Sequence, residues 1–373
     1  MKRWLLLVWL FLCLPLPAAA ETLQQGVQEL LGTIDLSALE DAAWEGVNVR
    51  EMLARLASGQ PVLSAQQVWE GFIHQASGVF RKSVWRMTRL MVPALLTACA
   101  EWIKPSGGSA GKAARYTGLL MTMIFLVSDL REHTQLCMET VEKMADWMQR
   151  LFPVLITLLA AVGGTASSAF YQPAMMAAAG SMTTLIRHVT VPLTTGVAML
   201  TMVGGLSESL RVSRLCRLLR QAASWTLGFG FTVFIGVMSV QGIGAASVDG
   251  VSIRTAKYAM DHFIPIVGGM FADTVDTLVG CSLLVQSAVG TLGMLLLLGM
   301  LMTPMLRTVM TLFLYRASAA VLQPVADGPL CRAIGGYGDV FTLLFIIQLS
   351  VGAMFLVLVA QVTAVGGWTV MLR

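Results

Sequence analysis

The stretch DHFIPIVGGMFADTVDTLVG, residues 261–280, decides how this chain is read. It is mostly apolar, yet Asp273 and Asp276 sit inside it, three residues apart. On a helix, side chains three and four apart share a face. Gly269, Asp273, Asp276, Thr277, Gly280 and Ser287 then fall within roughly a quarter to a third of the circumference. Phe271, Val275 and Leu278 point the other way. A carboxylate facing lipid costs at least about 2.5–3.5 kcal/mol. The stripe is therefore expected to face protein or water, as a packed helix seam, a pore wall or a proton site. Small residues on it would also let another backbone approach closely.

The rest of the chain sets this stretch in a membrane. Of 373 residues, 56% are hydrophobic and 12% charged. An ordinary soluble domain carries about 25% charge. The mean hydropathy is +0.73. The net charge of +4 is small, and no basic patch is interleaved with stacking aromatics, so nucleic-acid binding is set aside. The cysteines Cys13, Cys99, Cys137, Cys216, Cys281 and Cys331 form no CxxC, and the four histidines stand apart. Neither a disulfide framework nor a zinc site is signalled. HExxH, G-x-S-x-G and P-loop patterns are absent, so no enzymatic activity and no cofactor are expected.

The N-terminus, MKRWLLLVWLFLCLPLPAAA, reads as a cleaved signal peptide over residues 1–20, with Lys2 and Arg3 before a short apolar run and Ala18-Ala19-Ala20 before Glu21. Residues 21–83 have soluble composition and form a small helical extracytoplasmic region. Capping boxes stand at Ser37–Glu40 and Ser64–Gln67, and Asn48 is placed to cap VREMLARLA. Residues 84–373 form the polytopic transmembrane domain. The fold class is all-α, with about seven to nine membrane segments.

These segments are read as residues 90–103, then a cytoplasmic basic loop at 104–115, then 116–130. An amphipathic outer helix over 131–150 follows. Residues 151–206 hold two or three crossings, with a turn at Arg187 and His188. Residues 225–245 are a clear span, and SVDGVSIRTAKYAMDH after it reads as polar and outer. Residues 263–303 break at Gly290 and Gly293, residues near 307–324 are tilted or re-entrant, and 340–363 are the clearest span. Pro93, Pro153, Pro192 and Pro265 each follow a basic residue and are expected near helix starts. Arg211, Arg214, Arg217 and Arg220 form a cytoplasmic basic helix, interfacial or a docking surface for an acidic partner.

GVMSVQGIGAASVDGVSIRTAKY, FIPIVGGMFADTVDTLVGCSLLVQSAVG and AAVLQPVADGPL resemble signature segments of the stage III sporulation protein AE family. The resemblance covers essentially the whole chain. It implies a multi-pass protein of the mother-cell membrane around the forespore. It also implies a permease- or export-gate-like subunit of the channel complex linking the two cells, required for forespore development and late forespore gene expression. The implied partners, direct or indirect, are other stage III sporulation A proteins (a secretion-type ATPase and ring-forming subunits), stage II sporulation protein Q, and membrane lipid. The family supplies no catalytic residue to carry over. The alternatives are an independent secondary transporter and a purely structural membrane scaffold.

Overall fold

A computed structural model describes residues 40, 48–58, 65–103, 109–206, 212–263, 268–324 and 329–371. The expected signal peptide, about half of residues 21–83, Arg211 and Pro265 lie outside the described residues. So do the side chains of Asp273 and Asp276, although the helix backbone runs through both positions.

The described chain is helical, without strands. The elements are α1 (Val49–Ala57), α2 (Ala65–Ile103), α3 (Ser109–Ala161), α4 (Thr165–Leu185), a π-helical turn (Ile186–Thr190), α5 (Val191–Leu206), α6 (Ser213–Phe263), α7 (Gly268–Leu322) and α8 (Pro329–Met371). Asn48 caps α1 as its sequence position implies, its Oδ1 accepting from the Glu51 amide at 3.4 Å.

These rods are longer than the segments read from the sequence. Four stretches among the described residues are long and apolar enough to cross a membrane: Thr165–Gly205, Ser213–Gln241, Thr277–Leu322 and Cys331–Gly367. The expectation was seven to nine. The difference arises where charge or glycine was read as a break. Residues 116–150 are one continuous part of α3, and helix begins at Ser109, inside the expected basic loop. Arg187 and His188 sit in the π-helical turn, which bulges a continuous helix without reversing it. Gly290 and Gly293 lie in the unbroken α7, as do residues 307–322. Pro93 and Pro153 are interior to α2 and α3, not near their starts. No break occurs at the expected boundary after Ser83, since α2 runs straight through it.

The centre of the bundle is the antiparallel α7–α8 hairpin, and α8 also touches α3, α5, α6 and α4. The hairpin closes on residues without bulk. A side chain at Gly290 would overlap Thr363, one at Gly352 would overlap Leu301, and one at Gly366 would overlap Gln286. Backbones can approach this closely only where the Cβ is missing. Gln286 adds a hydrogen bond, its Nε2 donating to the Val362 carbonyl at 3.1 Å. Tyr337, Phe341 and Phe355 of α8 are fully buried at this centre.

Helix α3 runs antiparallel to α7 in a one-for-one register. Asp129 meets Tyr315, His133 meets Thr311, and Leu151 meets Gly293. Its 131–150 segment therefore packs into the bundle along one face. Cys137, Val141, Met144, Trp147 and Met148 are buried in the core. The reason is amphipathicity: one face of this segment is apolar enough to pack on the hairpin while the other stays charged.

Candidate functional site

The charged face of α3 is the first feature of the site. Glu139, Lys143, Asp146 and Arg150 are exposed and Glu142 is half-buried. Through the α3–α7 register these residues lie beside residues 294–305 of α7. That part of α7 belongs to a stretch, 277–306, without any Asp, Glu, Lys or Arg. Residues 340–367 of α8 and 221–248 of α6 are equally free of charge. Those two stretches begin at one level, because Arg220 just before the first pairs with Asp339 just before the second, at 2.6 Å. On α6, Phe229, Val233, Val237 and Val240 form an exposed apolar row suited to lipid. Five ionisable side chains of α3 thus stand at the depth where three neighbouring helices carry none. Each would cost several kcal/mol against hydrocarbon. Glu142 has a partner in Arg187 of the π-helical turn, at 3.4 Å, with both side chains substantially exposed. The face as a whole must meet water or another protein.

One turn further toward the α7–α8 connection is a polar knot. The Tyr315 hydroxyl donates to Asp129 Oδ2 at 2.8 Å. His133 Nδ1 lies 3.0 Å from the Asp129 carbonyl and Nε2 lies 2.9 Å from Thr311 Oγ1. A carbonyl only accepts, so Nδ1 carries the proton; the single Thr311 hydroxyl proton is shared between Nε2 of the neutral ring and the Arg307 carbonyl, also 2.9 Å away. The ring stands edge-on to Phe341, with centroids 5.0 Å apart. Burial pushes the His133 pKa below its ordinary value, with Arg86 acting the same way and the Asp129 carbonyl opposing. Arg86 of α2 pairs with Glu132. A cavity of about 470 Å³ opens here between α2, α3 and α7, lined by basic residues including Arg81, Lys82, Arg86 and Arg307.

The six members of the stripe expected on α7 divide. Gly269, Asp273 and Asp276 have no described side-chain environment. Thr277 and Ser287 are exposed, and Gly280 is half-buried with nothing within 4 Å of an added Cβ. The seam that packs within this chain lies on another face of α7, through Gln286, Gly290 and Gly293.

Of the basic helix, Arg211 is not described and Arg214 and Arg217 are exposed. Arg220 is already engaged with Asp339, which Arg316 also approaches at 3.6 Å. The arginines are thus not one free row.

Asp249 is a residue the sequence reading missed. It lies in the segment read as polar and outer, yet it is fully buried. Its Oδ1 accepts from the Ala166 amide at 2.8 Å and its Oδ2 from the Ser167 amide at 2.9 Å. The first amides of a helix have no partner within it, and a carboxylate there also meets the positive end of the helix dipole. The chain enters α4 through Gly163, at φ 99°, a conformation glycine adopts without steric cost. No local spacing signals this contact, because its partners are about 80 residues apart in sequence.

Among the described residues no group of His, Cys, Asp and Glu is arranged to hold a metal. Cys137 and Cys281 are buried, and Cys216 and Cys331 are half-buried.

The family model described as stage III sporulation protein AE matches residues 47–366. A protein of Bacillus subtilis (strain 168) named stage III sporulation protein AE is 34% identical over 235 residues. That match spans 63% of this chain and 59% of the relative, so the chain covers under two thirds of that protein's length. No solved structure matches. With the family model spanning most of its length and all its long helices, the chain belongs to the stage III sporulation protein AE family.

Proposed function

We propose that this sporulation membrane protein is the permease- or export-gate-like subunit of the channel complex between mother cell and forespore. It sits in the mother-cell membrane around the forespore. It supports forespore development and late forespore gene expression without catalysis of its own. The reading draws on family membership and on one structural observation. The charged face of α3 lies at the depth of charge-free α6, α7 and α8, so it needs an aqueous path or a partner subunit beside it. Its partners are a secretion-type ATPase, ring-forming stage III sporulation A proteins and stage II sporulation protein Q, reached directly or through one another.

Two measurements test this. Affinity purification from sporulating cells is expected to retain the ATPase and ring subunits. Single cysteines at positions 139, 143 and 146, in a cysteine-free background, are expected to react with a hydrophilic thiol reagent in the isolated chain and to be shielded in the assembled complex. A cysteine at 298, on the apolar side of α7, is expected to stay unreactive in both. Copurification of none of these subunits, with identical labelling in sporulating and vegetative cells, would instead fit an independent transporter and would overturn the proposal.

A further inference from the structure

We infer that a cavity between α5, α6 and α8 binds the phosphate of an anionic phospholipid headgroup. The cavity holds about 470 Å³ and is lined by Arg217, Arg220 and Arg332 together with Thr201, Ser213 and Gly336. Headgroup-sized ligands occupy pockets of this order. Among the described residues no Asp or Glu lines it. Asp339 is engaged by Arg220 and Arg316. Arg220 Nε is buried and has no hydrogen-bond partner among the described residues, so a donor there is left for a ligand. Guanidinium groups suit phosphate because their planar donors match its oxygens. Thr201 and Ser213 add hydroxyls, although the Thr201 hydroxyl already donates to the Val197 carbonyl at 2.7 Å. Gly336 keeps one wall thin, since a side chain there would collide with Thr201.

The level of the cavity points to lipid as the source of the phosphate. It lies just before the charge-free stretches of α6 and α8 begin. Trp225, one turn into that stretch, is 72% exposed, the position of an interfacial aromatic. Met199 on α5 and Leu218 on α6 are exposed next to lining residues and offer an apolar track for acyl chains. A phosphate in the arginine cavity with its tails along this track satisfies both surfaces. The assignment is independent of the channel proposal.

The test uses the full chain, delipidated in neutral detergent, and follows its thermal unfolding. Phosphatidylglycerol is expected to raise the midpoint saturably, and phosphatidylcholine is expected not to. Arg217 and Arg332 are exposed, so R217Q/R332Q should unfold at the wild-type temperature without lipid. It should need about thirtyfold more phosphatidylglycerol for the same shift, from the usual contribution of two arginines at an anionic surface. R217K/R332K, which keeps the charge, should recover most of the affinity. If inorganic phosphate gives the same arginine-dependent shift and phosphatidylglycerol adds nothing, the lipid source is wrong. Equal shifts in wild type and R217Q/R332Q would overturn the site itself. If R217Q/R332Q unfolds early, lipid retention measured by native mass spectrometry on R217K/R332K and wild type decides instead. Loss of bound phosphatidylglycerol from both would refute the assignment.

Discussion

Replacing Asp249 by alanine should detach α6 from the start of α4. Two amides, on Ala166 and Ser167, donate to this buried carboxylate at 2.8 and 2.9 Å. A hydrogen bond to a charged acceptor contributes about 1.5–3 kcal/mol. A favourable partly buried charge at a helix terminus adds up to about 2 kcal/mol. Alanine removes both contributions and leaves two buried donors, which water entering the gap partly satisfies. The net loss should be about 3–5 kcal/mol, the range for removing one partner from a buried charged contact. Asparagine keeps one acceptor oxygen but turns an amide group toward the second N–H, so it should lose about half as much. Thermal unfolding of the purified chain in neutral detergent, followed by tryptophan fluorescence, reads this directly. Limited proteolysis at the Gly163-Gly164 turn should speed up in the same order: wild type slowest, then Asp249→Asn, then Asp249→Ala. If Asp249→Ala unfolds within a degree of wild type and the turn is no more sensitive, the carboxylate does not hold the start of α4 and the reasoning fails.

The hairpin seam gives a second prediction. Gly352→Val should cost at least about 1–3 kcal/mol by forcing α7 and α8 apart, whereas Gly280→Ala, in open space, should change the unfolding midpoint little. Comparing the two midpoints checks the seam, and equal effects would move it elsewhere. His133 gives a pH dependence: its folded pKa is lowered, so its contribution is complete above about 6.5, the unfolded value, and is lost as pH falls through the folded value. His133→Gln should flatten that acid limb of stability against pH, and an unchanged limb would mean another group carries it. For the stripe, Asp273→Asn/Asp276→Asn should lower spore formation while the protein still accumulates in the membrane. Wild-type spore counts from that double variant would end the functional reading of these acids.

The sequence by itself determined the solvent of this protein and the material of its fold. So many apolar residues with so little charge can be buried only in a bilayer, and helices alone satisfy their backbone groups there without closing a barrel. It also determined local events such as the Asn48 cap, which needs only neighbours in sequence. The tertiary structure decided where helices stop and which faces are spoken for. Arg187 looked like a turn because its charge marks an interface, Gly290 like a break because glycine weakens an isolated helix, and Pro153 like a helix start because its missing amide proton is unpaired there. Here the π-helical turn, the Thr363 contact and the packed face of α3 keep the chain helical past each of them. The 131–150 segment looked external because its charges dominate a linear reading. Its apolar face finds the α7–α8 hairpin only in three dimensions. Asp249 looked like an ordinary solvated acid, and nothing in the sequence pairs Asp339 with an arginine. Their partners, α4's first amides and Arg220, are remote in sequence, and proximity of that kind is set by packing, which no local spacing encodes.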